Sequence, residues 1–386
     1  MTTQARQPNE ALAVAAVPML DLRAQYAAIA DEIHAAMELL LDSQHWILGA
    51  EGAALEQELA HFSSARFGVG VASGTDALML ALRAAGVSAG DDVLVPAFTF
   101  IATASAVSAL GARPVLADIE PAAFSIDPKQ IESRLTPKTK AIIAVHLFGL
   151  AADMDPILEI GERRGIPVIE DNAQSIGATY RGRKAGSMGA FGCLSFYPTK
   201  NLGGYGDGGM ILTNSEGDAE RLRRLRNQGQ TDRYSSSERG WNSRLDEIQA
   251  AILRVKLRHL AAWTGARQNH ARRYGELLRD LRGIHVPRER KDCEHVYSVY
   301  TIRVEGGAAR RERIQRSLAA RGISSTIYYP IPLHLQPAYA SLGVTRGELP
   351  ESERAANEVL SLPMYAELTD DQVARVAATL SEAARE

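Results

Sequence analysis

Apolar and polar positions follow a repeating order from Arg66 to about Leu212, in which short apolar runs alternate with helical runs. Nearly continuous apolar runs of this length are typical of strands that are buried on both faces. The alternation therefore predicts a parallel sheet covered by helices on both sides. The predicted strands are FGVGVAS, DDVLVPAF, ARPVLADI, KAIIAVHLFG, IPVIEDNAQ and FGCLSFYP, and the predicted helices are TDALMLALRAAG, IATASAVSALG and MDPILEIGERRG.

The pattern changes after about Leu212. Charged helices are predicted over residues 218–228 and 246–278, and they are followed by the strand HVYSVYTIRV, the helix RRERIQRSLAARG and the strand ISSTIYY. Thr369 and Gln372 have the spacing of a capping box at the start of a last helix. These elements predict a second, smaller α+β domain.

The length of 386 residues is enough for about two or three domains. The predicted division is a flexible leader over residues 1–17, a large domain over residues 18–255 and a small C-terminal domain over residues 256–386. The longest early apolar run, residues 11–20, is interrupted by Pro18 and is shorter than the about 20 apolar residues of a membrane span. We therefore expect a cytoplasmic protein without a membrane partner.

Composition narrows the class of protein further. Lys and Arg number 43 against 46 Asp and Glu, a balance that argues against a nucleic-acid-binding protein with its basic excess. The two cysteines, Cys193 and Cys293, are too few for a disulfide framework or a cysteine-rich zinc site. An apolar fraction of 46% is ordinary for a globular protein of this size, whose core needs neither metal nor disulfide.

Chemically reactive side chains collect where the predicted strands end. Ligands of open parallel sheets bind beyond the carboxyl ends of the strands, so side chains at those ends are candidates for a site. The candidates are Ser73, Gly74, Thr75, Phe98, His146, Asp171, Gln174 and the segment from Ser195 to Lys200.

The segment SGTDAL joins a predicted strand to a predicted helix at Ser73. Free amides at such a helix N-terminus favour an anion such as phosphate, and the alternative is that Ser73 or Thr75 is a plain N-cap. No Walker motif is present, which disfavours a nucleoside triphosphate. The spacing of Gly68, Gly70 and Gly74 misses the dinucleotide fingerprint by one residue, which disfavours a Rossmann oxidoreductase.

Lys200 and Asp171 are the candidates with the most specific chemical roles. Lys200 follows a strand end in SFYPTKNLGGYGDGG, where a buried lysine can lose its proton and act as a nucleophile. Asp171 ends the apolar strand of VIEDNAQSIGA and needs a partner, because a lone buried carboxylate is costly. The alternatives are a surface lysine and a turn-capping aspartate. Together with a phosphate site and an aromatic ring, the two residues predict a site for pyridoxal phosphate, with Lys200 as its imine lysine.

Motifs in a fixed order support this interpretation: DLRAQY, SGTDAL, PAFTFIAT, VHLFG, IEDNAQSIGA, SFYPTKNLGGYGDGG and GWNSRLDEIQAAIL. Through these motifs, the sequence from Met19 onward resembles the DegT/StrS family of nucleotide-sugar aminotransferases. The resemblance implies the α/β fold of pyridoxal-phosphate-dependent transferases of fold type I. That fold has a mixed, mostly parallel sheet in a large domain and a smaller C-terminal α+β domain.

The resemblance also implies which residues surround the cofactor ring. Lys200 would bind the cofactor covalently, and Asp171 would pair with the pyridinium nitrogen. Phe98 would stack on the ring, and Gln174 would lie beside the ring hydroxyl. Relatives that dehydrate sugars have a histidine at the position of Lys200, so the lysine favours transamination over a sugar dehydratase.

The cofactor phosphate would be held by residues of two subunits. By the resemblance, the backbone at Gly74 and Thr75 and the hydroxyl of Ser195 bind it from one subunit. Asn242, in GWNSR, would reach it from the neighbouring subunit of a homodimer. The active site would then be shared between the two subunits.

The segment IYYPIPLHLQPAY resembles the branch of the family that acts on carbon 3 of keto-sugars, in which Tyr329 and His334 would contact the substrate. The resemblance implies a dTDP-linked 3-keto-6-deoxyhexose as acceptor and L-glutamate as donor, in deoxysugar biosynthesis for an O-antigen or a glycosylated natural product. The alternatives are UDP-linked 3-keto sugars, amination at carbon 4, and a non-catalytic regulator. For His334, the alternative is a packed loop histidine.

Overall fold

The structure is a computed structural model that describes residues 16–385. The predicted leader falls mostly on residues 1–15, which lie outside the described residues. Its last residue, Val17, is fully buried and forms backbone hydrogen bonds with Gly322 and Ser324. Val17 therefore belongs to the folded part of the chain and not to a flexible leader.

Residues 16–385 form eleven α-helices. In chain order they are α1 (Leu22–Ser43), α2 (Ala50–Phe62), α3 (Gly74–Ala84), α4 (Ala102–Ala109), α5 (Pro128–Arg134), α6 (Met154–Arg164), α7 (Glu216–Leu225), α8 (Glu247–Leu278), α9 (Gly307–Ala320), α10 (Pro350–Glu358) and α11 (Asp370–Arg385). The predicted capping box precedes α11, where the Gln372 amide donates to Thr369 Oγ1 at 3.2 Å and the Thr369 amide to Gln372 Oε1 at 2.9 Å.

The strands are mostly short. In chain order they are β1 (Phe67–Val71), β2 (Asp92–Pro96), β3 (Arg113–Ala117), β4 (Thr139–Val145), β5 (Val168–Asp171), β6 (Thr179–Tyr180), β7 (Arg183–Lys184), β8 (Phe191–Ser195), β9 (Gly209–Thr213), β10 (Gln230–Asp232), β11 (Ser235–Ser236), β12 (Ile284–His285), β13 (Cys293–Glu294), β14 (Tyr300–Val304) and β15 (Val359–Leu362).

The central sheet has seven strands in the order β1-β9-β8-β5-β4-β2-β3. The five strands from β8 to β3 are parallel, and β9 is antiparallel to both of its neighbours. The predicted mixed, mostly parallel sheet is therefore confirmed. A parallel arrangement places the carboxyl ends of β4, β5 and β8 at one edge of the sheet, and the candidate site lies there.

Both faces of the sheet are buried, as the apolar strands predicted. In β2, Val93 and Val95 pack on one face in the cluster that contains Leu78 of α3. Leu94, between them, packs on the other face with Ile157 of α6. Side chains alternate across a strand, so a run of apolar residues fills two cores at once.

A separate apolar cluster lies in the C-terminal part of the chain and joins the end of α8 to α9, α11 and the sheet β12-β14-β15. The helix α8 has 32 residues and crosses residue 255 without interruption. The division of the chain at residues 255 and 256 remains a prediction. Among the described residues, no helix is both long enough and apolar enough to cross a membrane.

Two elements differ from the predictions. The sequence analysis did not separate β9 from the glycine-rich loop before it. Residues 323–329 were predicted as a strand but form only isolated bridges, of Ile323 with Val17 and of Thr326 with Ser361. Pro330 and Pro332 follow directly, and proline cannot donate to a ladder, so the segment does not extend into a regular strand.

Candidate active site

A cavity of about 650 Å³ lies beyond the carboxyl ends of β4, β5 and β8. The structure brings seven of the predicted site residues to its wall: Gly74, Thr75, Asp171, Gln174, Ser195, Lys200 and Tyr329. Residues far apart in sequence complete the wall, among them Met19, Phe100, Tyr328 and Met364. A concave, partly apolar cavity with a few convergent polar groups is typical of a small-molecule site.

Lys200 lies in the turn that follows β8, where its backbone amide donates to the carbonyl of Tyr197 at 2.9 Å. Burial lowers the pKa of the Lys200 amine, and the negative charge of Asp171 partly opposes that effect. A lowered pKa increases the fraction of neutral amine, which is the nucleophilic and basic form. The structure thus favours the functional interpretation of this lysine over a surface lysine.

Asp171 ends β5 and is 6% exposed. Its Oδ2 accepts a hydrogen bond of 2.9 Å from Thr103 Oγ1, and its Oδ1 accepts one of 3.2 Å from the amide of Ala173. Burial raises the pKa of this carboxyl, whereas the hydrogen bonds and Lys200 lower it. A buried carboxylate of this kind is stabilised by a cationic partner in the cavity. The sequence analysis did not identify Thr103 as its hydrogen-bond donor.

The start of α3 forms a cradle beside Ser195. Ser73 caps the helix, because its Oγ accepts from the amide of Asp76 at 3.1 Å, which confirms the N-cap interpretation of its hydroxyl. A Cβ at Gly74 would lie 2.6 Å from the Cβ of Ser195, so only glycine fits without a shift. The backbone of the first turn of α3 and the hydroxyl of Ser195 line the same cavity wall. Such a helix start suits a phosphate group.

Of the two phenylalanines that follow β2, Phe100 lines the cavity and Phe98 does not. Phe98 is completely buried and packs against Phe124 and Tyr329, with ring centroids 6.0 and 6.2 Å apart. Phe100 is 54% exposed and lines the cavity. Because β2 ends at Pro96, regular strand alternation no longer fixes which of the two rings points outward. The structure thus corrects the prediction for Phe98.

Gln174 and Tyr329 lie together in the cavity wall. Gln174 Oε1 accepts from the amide of Phe148 at 2.7 Å, and Gln174 Nε2 donates to the hydroxyl of Tyr329 at 3.1 Å. Burial raises the pKa of Tyr329, so its hydroxyl stays protonated. This pair connects the segment after β5 with the segment 323–329.

Besides Phe98, two predicted residues do not line the cavity of their own chain, His334 and Asn242. His334 is 3% exposed, and its Nε2 lies 3.1 Å from Glu353 Oε1, so the structure favours the packed-loop interpretation. Asn242 is exposed, and its backbone forms a bridge with Asn227. Its neighbour Ser243 instead contacts α3 through Asp76 Oδ2 at 2.6 Å. A contribution of Asn242 to another subunit remains a prediction.

His146 lines the cavity and pairs with a carboxylate beneath it. His146 Nδ1 accepts from the amide of Ala152 at 3.0 Å, so Nε2 carries the hydrogen and donates to Glu170 Oε2 at 2.8 Å. Glu170 is fully buried and also accepts three backbone amides from residues 186–189 at 2.6 to 2.7 Å. Sequence alternation along β5 places Glu170 and Asp171 on opposite faces, and only Asp171 faces the cavity.

These residues fit pyridoxal phosphate. The cradle at Gly74, which a Cβ would fill, suits its phosphate, and the buried carboxyl of Asp171 suits a protonated ring nitrogen. Lys200 has the lowered pKa of an amine that can bond to an aldehyde. In residues 16–385, no group of three or more histidine, cysteine or acidic side chains could hold a metal ion.

Known proteins are similar to this chain over most of its length. The sequence matches the DegT/DnrJ/EryC1/StrS aminotransferase family over residues 27–381. It is 48% identical to a "Pleiotropic regulatory protein" of Geobacillus stearothermophilus, over 95% of this chain and 98% of that protein. It is 47% identical to a UDP-N-acetyl-3-dehydro-alpha-D-glucosamine 3-aminotransferase of Acidithiobacillus ferrooxidans, over 95% of this chain and 97% of the enzyme.

Solved structures are similar over almost the whole chain. DesV from S. venezuelae, in complex with a ketimine intermediate, has 44% identity and a TM-score of 0.93, covering 96% of this chain and 99% of DesV. The PLP form of a sugar aminotransferase from Streptococcus pneumoniae has 26% identity and a TM-score of 0.86, covering 96% of this chain and 98% of that one. The fold therefore has close counterparts among solved structures.

Proposed function

This chain belongs to the DegT/DnrJ/EryC1/StrS aminotransferase family, and from that premise we propose that it aminates carbon 3 of a nucleotide-linked 3-keto sugar. It is a pyridoxal-phosphate-dependent nucleotide-sugar aminotransferase. The observation that carries the proposal is the convergence of Lys200, Asp171 and the Gly74 cradle on one cavity. Each group fits a different part of the cofactor, and none has another evident task there.

The chemistry divides between the cofactor and the protein. Pyridoxal phosphate, when bound, supplies an electron sink that makes the carbon beside the nitrogen acidic. Asp171 would keep a proton on the ring nitrogen through its negative charge. Lys200 Nζ, whose lowered pKa favours the neutral amine, would take the proton from the substrate carbon and deliver it to the cofactor carbon on the other side of the nitrogen. In this proposal Lys200 is both the attachment point and the general base.

The choice of carbon 3 rests on the relatives. The relative with 47% identity is named as a 3-aminotransferase of a UDP-linked sugar. A relative in Streptomyces venezuelae, 45% identical over 93% of this chain and 94% of that enzyme, is named dTDP-3-amino-3,4,6-trideoxy-alpha-D-glucose transaminase. We place this chain with the dTDP-linked 3-keto-6-deoxyhexoses as the first candidate and the UDP-linked 3-keto sugars as the second. L-glutamate is the proposed amino donor.

The first experiment is an absorbance spectrum of the purified protein with pyridoxal phosphate, before and after addition of L-glutamate. We expect a visible band of lysine-bound cofactor that glutamate converts to a near-ultraviolet band. Wild-type protein that stays colourless would overturn the proposal. A panel of 3-keto and 4-keto sugars linked to dTDP or UDP would then identify the acceptor by mass spectrometry of the aminated product.

The same experiment separates the competing functions. A regulator would bind the cofactor or a sugar nucleotide without multiple turnovers, and one relative is named as a regulatory protein. A dehydratase would release a sugar that has lost water and carries no new nitrogen. Repeated formation of an amino sugar in stoichiometric balance with 2-oxoglutarate would exclude both.

We also propose that the active site is shared in a homodimer. Leu39, Leu41, Ile47 and Leu48 are exposed, and Ile47 pairs with Asp246 in the segment that follows Asn242. Exposed apolar side chains in such a group favour a protein interface.

Mixing two inactive variants tests the shared site. Lys200→Ala and Asn242→Ala proteins, refolded or co-expressed together, should recover part of the wild-type activity, because one of the two sites in a mixed dimer is intact. Mixed dimers without recovered activity would remove Asn242 from the proposed site. The proposed cytoplasmic location is tested by fractionation of cells that express the chain.

A further inference from the structure

The glycine-rich loop that follows Lys200 is held from outside the cavity by one face of α8. Gln249 and Lys256 lie seven residues apart on this helix, two turns along the same face. Gln249 Oε1 accepts from the amide of Tyr205 at 2.8 Å. Lys256 Nζ donates to the carbonyl of Gly203 at 2.7 Å. The two side chains therefore bind consecutive parts of the loop.

The ammonium of Lys256 has a second contact in the same loop. It lies 4.3 Å from the centroid of the Tyr205 ring, the distance of a cation–π interaction. Lys256 itself is completely buried. Within residues 16–385, no carboxylate lies at salt-bridge distance from its Nζ, so the carbonyl and the ring are its contacts in this position. The negative charge of Glu367 acts on it without forming a salt bridge.

Two glycines allow the loop to pass close to α8 and to its own start. A Cβ at Gly203 would lie 2.3 Å from the carbonyl oxygen of Pro198, and a Cβ at Gly204 would lie 2.6 Å from Gln249 Oε1. Pro198 and Gly203 thus enclose Lys200 in a tight turn. Because Gly203 packs closely against Pro198, a displacement of Gly203 would disturb the turn that carries Lys200.

We propose that Lys256 is a positioning residue for Lys200, and that its ammonium fixes the loop 200–205 by holding the Gly203 carbonyl and the Tyr205 ring. The inference rests on the proposed function, in which Lys200 Nζ bonds to the aldehyde carbon of pyridoxal phosphate and water leaves. Reaction at a buried amine depends on distance and direction, so a shift of about 1 Å reduces it strongly. Burial of an ammonium without a carboxylate partner lowers stability, so a purely structural role gives Lys256 no advantage over an apolar side chain of its size.

The test compares Lys256→Met with wild-type protein in two titrations. Pyridoxamine phosphate has no aldehyde and measures the phosphate and ring contacts alone, whereas pyridoxal phosphate also needs the bond to Lys200, followed by its visible absorption. We expect Lys256→Met to bind pyridoxamine phosphate within about threefold of wild type and to lose about tenfold or more in affinity for pyridoxal phosphate.

The chain contains a matched control. Lys184 Nζ donates to the carbonyl of Gly177 at 3.1 Å and lies 5.7 Å from the ring centroid of Phe62, which are the same two kinds of contact away from the cavity wall. Lys184→Met should leave both titrations unchanged. Equal titrations for Lys256→Met and wild type, or equal losses with the two ligands, would overturn the proposal.

Two further outcomes are distinguishable. If Lys256→Met does not fold, Gln249→Met removes the other contact to the loop and should show the same loss for pyridoxal phosphate alone; unchanged titrations of that variant would overturn the proposal. If the wild-type protein itself forms no visible band, the proposed function fails. A wild-type band that Lys256→Met reproduces in full contradicts the inference about Lys256 and leaves the proposed function standing.

Discussion

The side-chain amide of Gln174 donates a 3.1 Å hydrogen bond to the hydroxyl of Tyr329. Its orientation is fixed, because the carbonyl oxygen of the same side chain accepts from the amide of Phe148 at 2.7 Å. Residues 155 positions apart in the chain thus close one wall of the cavity. The position of the Tyr329 ring depends on this contact and on the neighbouring aromatic rings.

Tyr329→Phe should therefore weaken substrate binding. It removes the acceptor of the half-buried Gln174 amide, and loss of one such hydrogen bond costs about 0.5–1.5 kcal/mol. We expect the KM for the keto-sugar nucleotide to rise about tenfold in steady-state kinetics, with a small loss of thermal stability. Tyr328→Phe is the control, because Tyr328 also lines the cavity and its hydroxyl forms no hydrogen bond within residues 16–385. Equal effects of the two changes would contradict the role of this hydrogen bond.

Phe98 and Phe100 should respond to alanine substitution in opposite ways. Phe98 is completely buried, so Phe98→Ala should lower the free energy of unfolding by about 3–5 kcal/mol in a denaturant titration. Phe100 is 54% exposed and faces the cavity, so Phe100→Ala should change stability little and weaken the binding of pyridoxamine phosphate about tenfold. Loss of cofactor affinity in a stable Phe98→Ala protein would support the prediction that Phe98 stacks on the cofactor ring.

Lys200→Ala should abolish turnover and still bind pyridoxamine phosphate with near wild-type affinity. The cradle at Gly74 and the carboxyl of Asp171 remain intact in this variant. Fluorescence or absorbance titration measures the binding, and product analysis measures the turnover. Lys140→Ala, at an exposed position where β4 begins, should leave both unchanged. Turnover at the wild-type rate in Lys200→Ala would exclude the proposed mechanism.

Gly74→Ala should weaken the binding of the cofactor phosphate. The new Cβ would lie 2.6 Å from the Cβ of Ser195, so the start of α3 or the end of β8 must move. We expect at least about tenfold weaker binding of pyridoxamine phosphate. Gly217→Ala is the matched control in the first turn of α7, where a Cβ meets nothing within 4 Å. That change should raise stability by about 0.5–1 kcal/mol and leave cofactor binding unchanged.

His295 should make the protein sensitive to acid. Burial lowers its pKa to about 3 from the ordinary value of 6.5, so the folded protein keeps this ring neutral while the unfolded chain takes up a proton. The part of the free energy of unfolding that depends on a neutral His295 is fully present above about pH 6.5. It is lost as the pH falls toward 3, by roughly 4–5 kcal/mol in all.

His295→Asn tests this sensitivity, because Oδ1 of asparagine can replace Nδ1 as the acceptor of the Tyr297 amide, now at 2.9 Å. Unfolding curves at pH 7 and pH 4.5 should differ less in the variant than in the wild type. His45→Asn, at an exposed histidine, should keep the wild-type difference. An unchanged pH dependence in His295→Asn would contradict the assignment.

The features of the fold that the sequence predicted best are those that depend on residues close together in the chain. The capping box of Thr369 and Gln372 depends on residues three positions apart, and it is present. The strand β9 was missed because it is only five residues long and adjoins a glycine-rich loop. Its pairing with β1, which is distant in the chain, cannot be recognised from local pattern.

In the candidate site, too, the sequence located the residues whose positions follow from local pattern and missed the others. Lys200, Asp171 and Gly74 lie at strand ends or helix starts, and those positions follow from alternation of strands and helices. Phe98 and Phe100 are two residues apart after a strand has ended, where no periodicity decides which ring faces the cavity. The contact between Lys256 and the loop after Lys200 joins elements 53 residues apart and has no signature in the sequence.

The continuity of α8 has a practical consequence for engineering. At about 1.5 Å per residue, its 32 residues form a rod of about 48 Å that takes part in both the central core and the C-terminal cluster. A chimaera with a relative that exchanged the chain at residue 255 would join segments of α8 from two parents, so that Gln249 and Lys256 came from different proteins. Exchanges made after Leu278 keep the whole rod with one parent, and we recommend them for transplanting acceptor specificity between these enzymes.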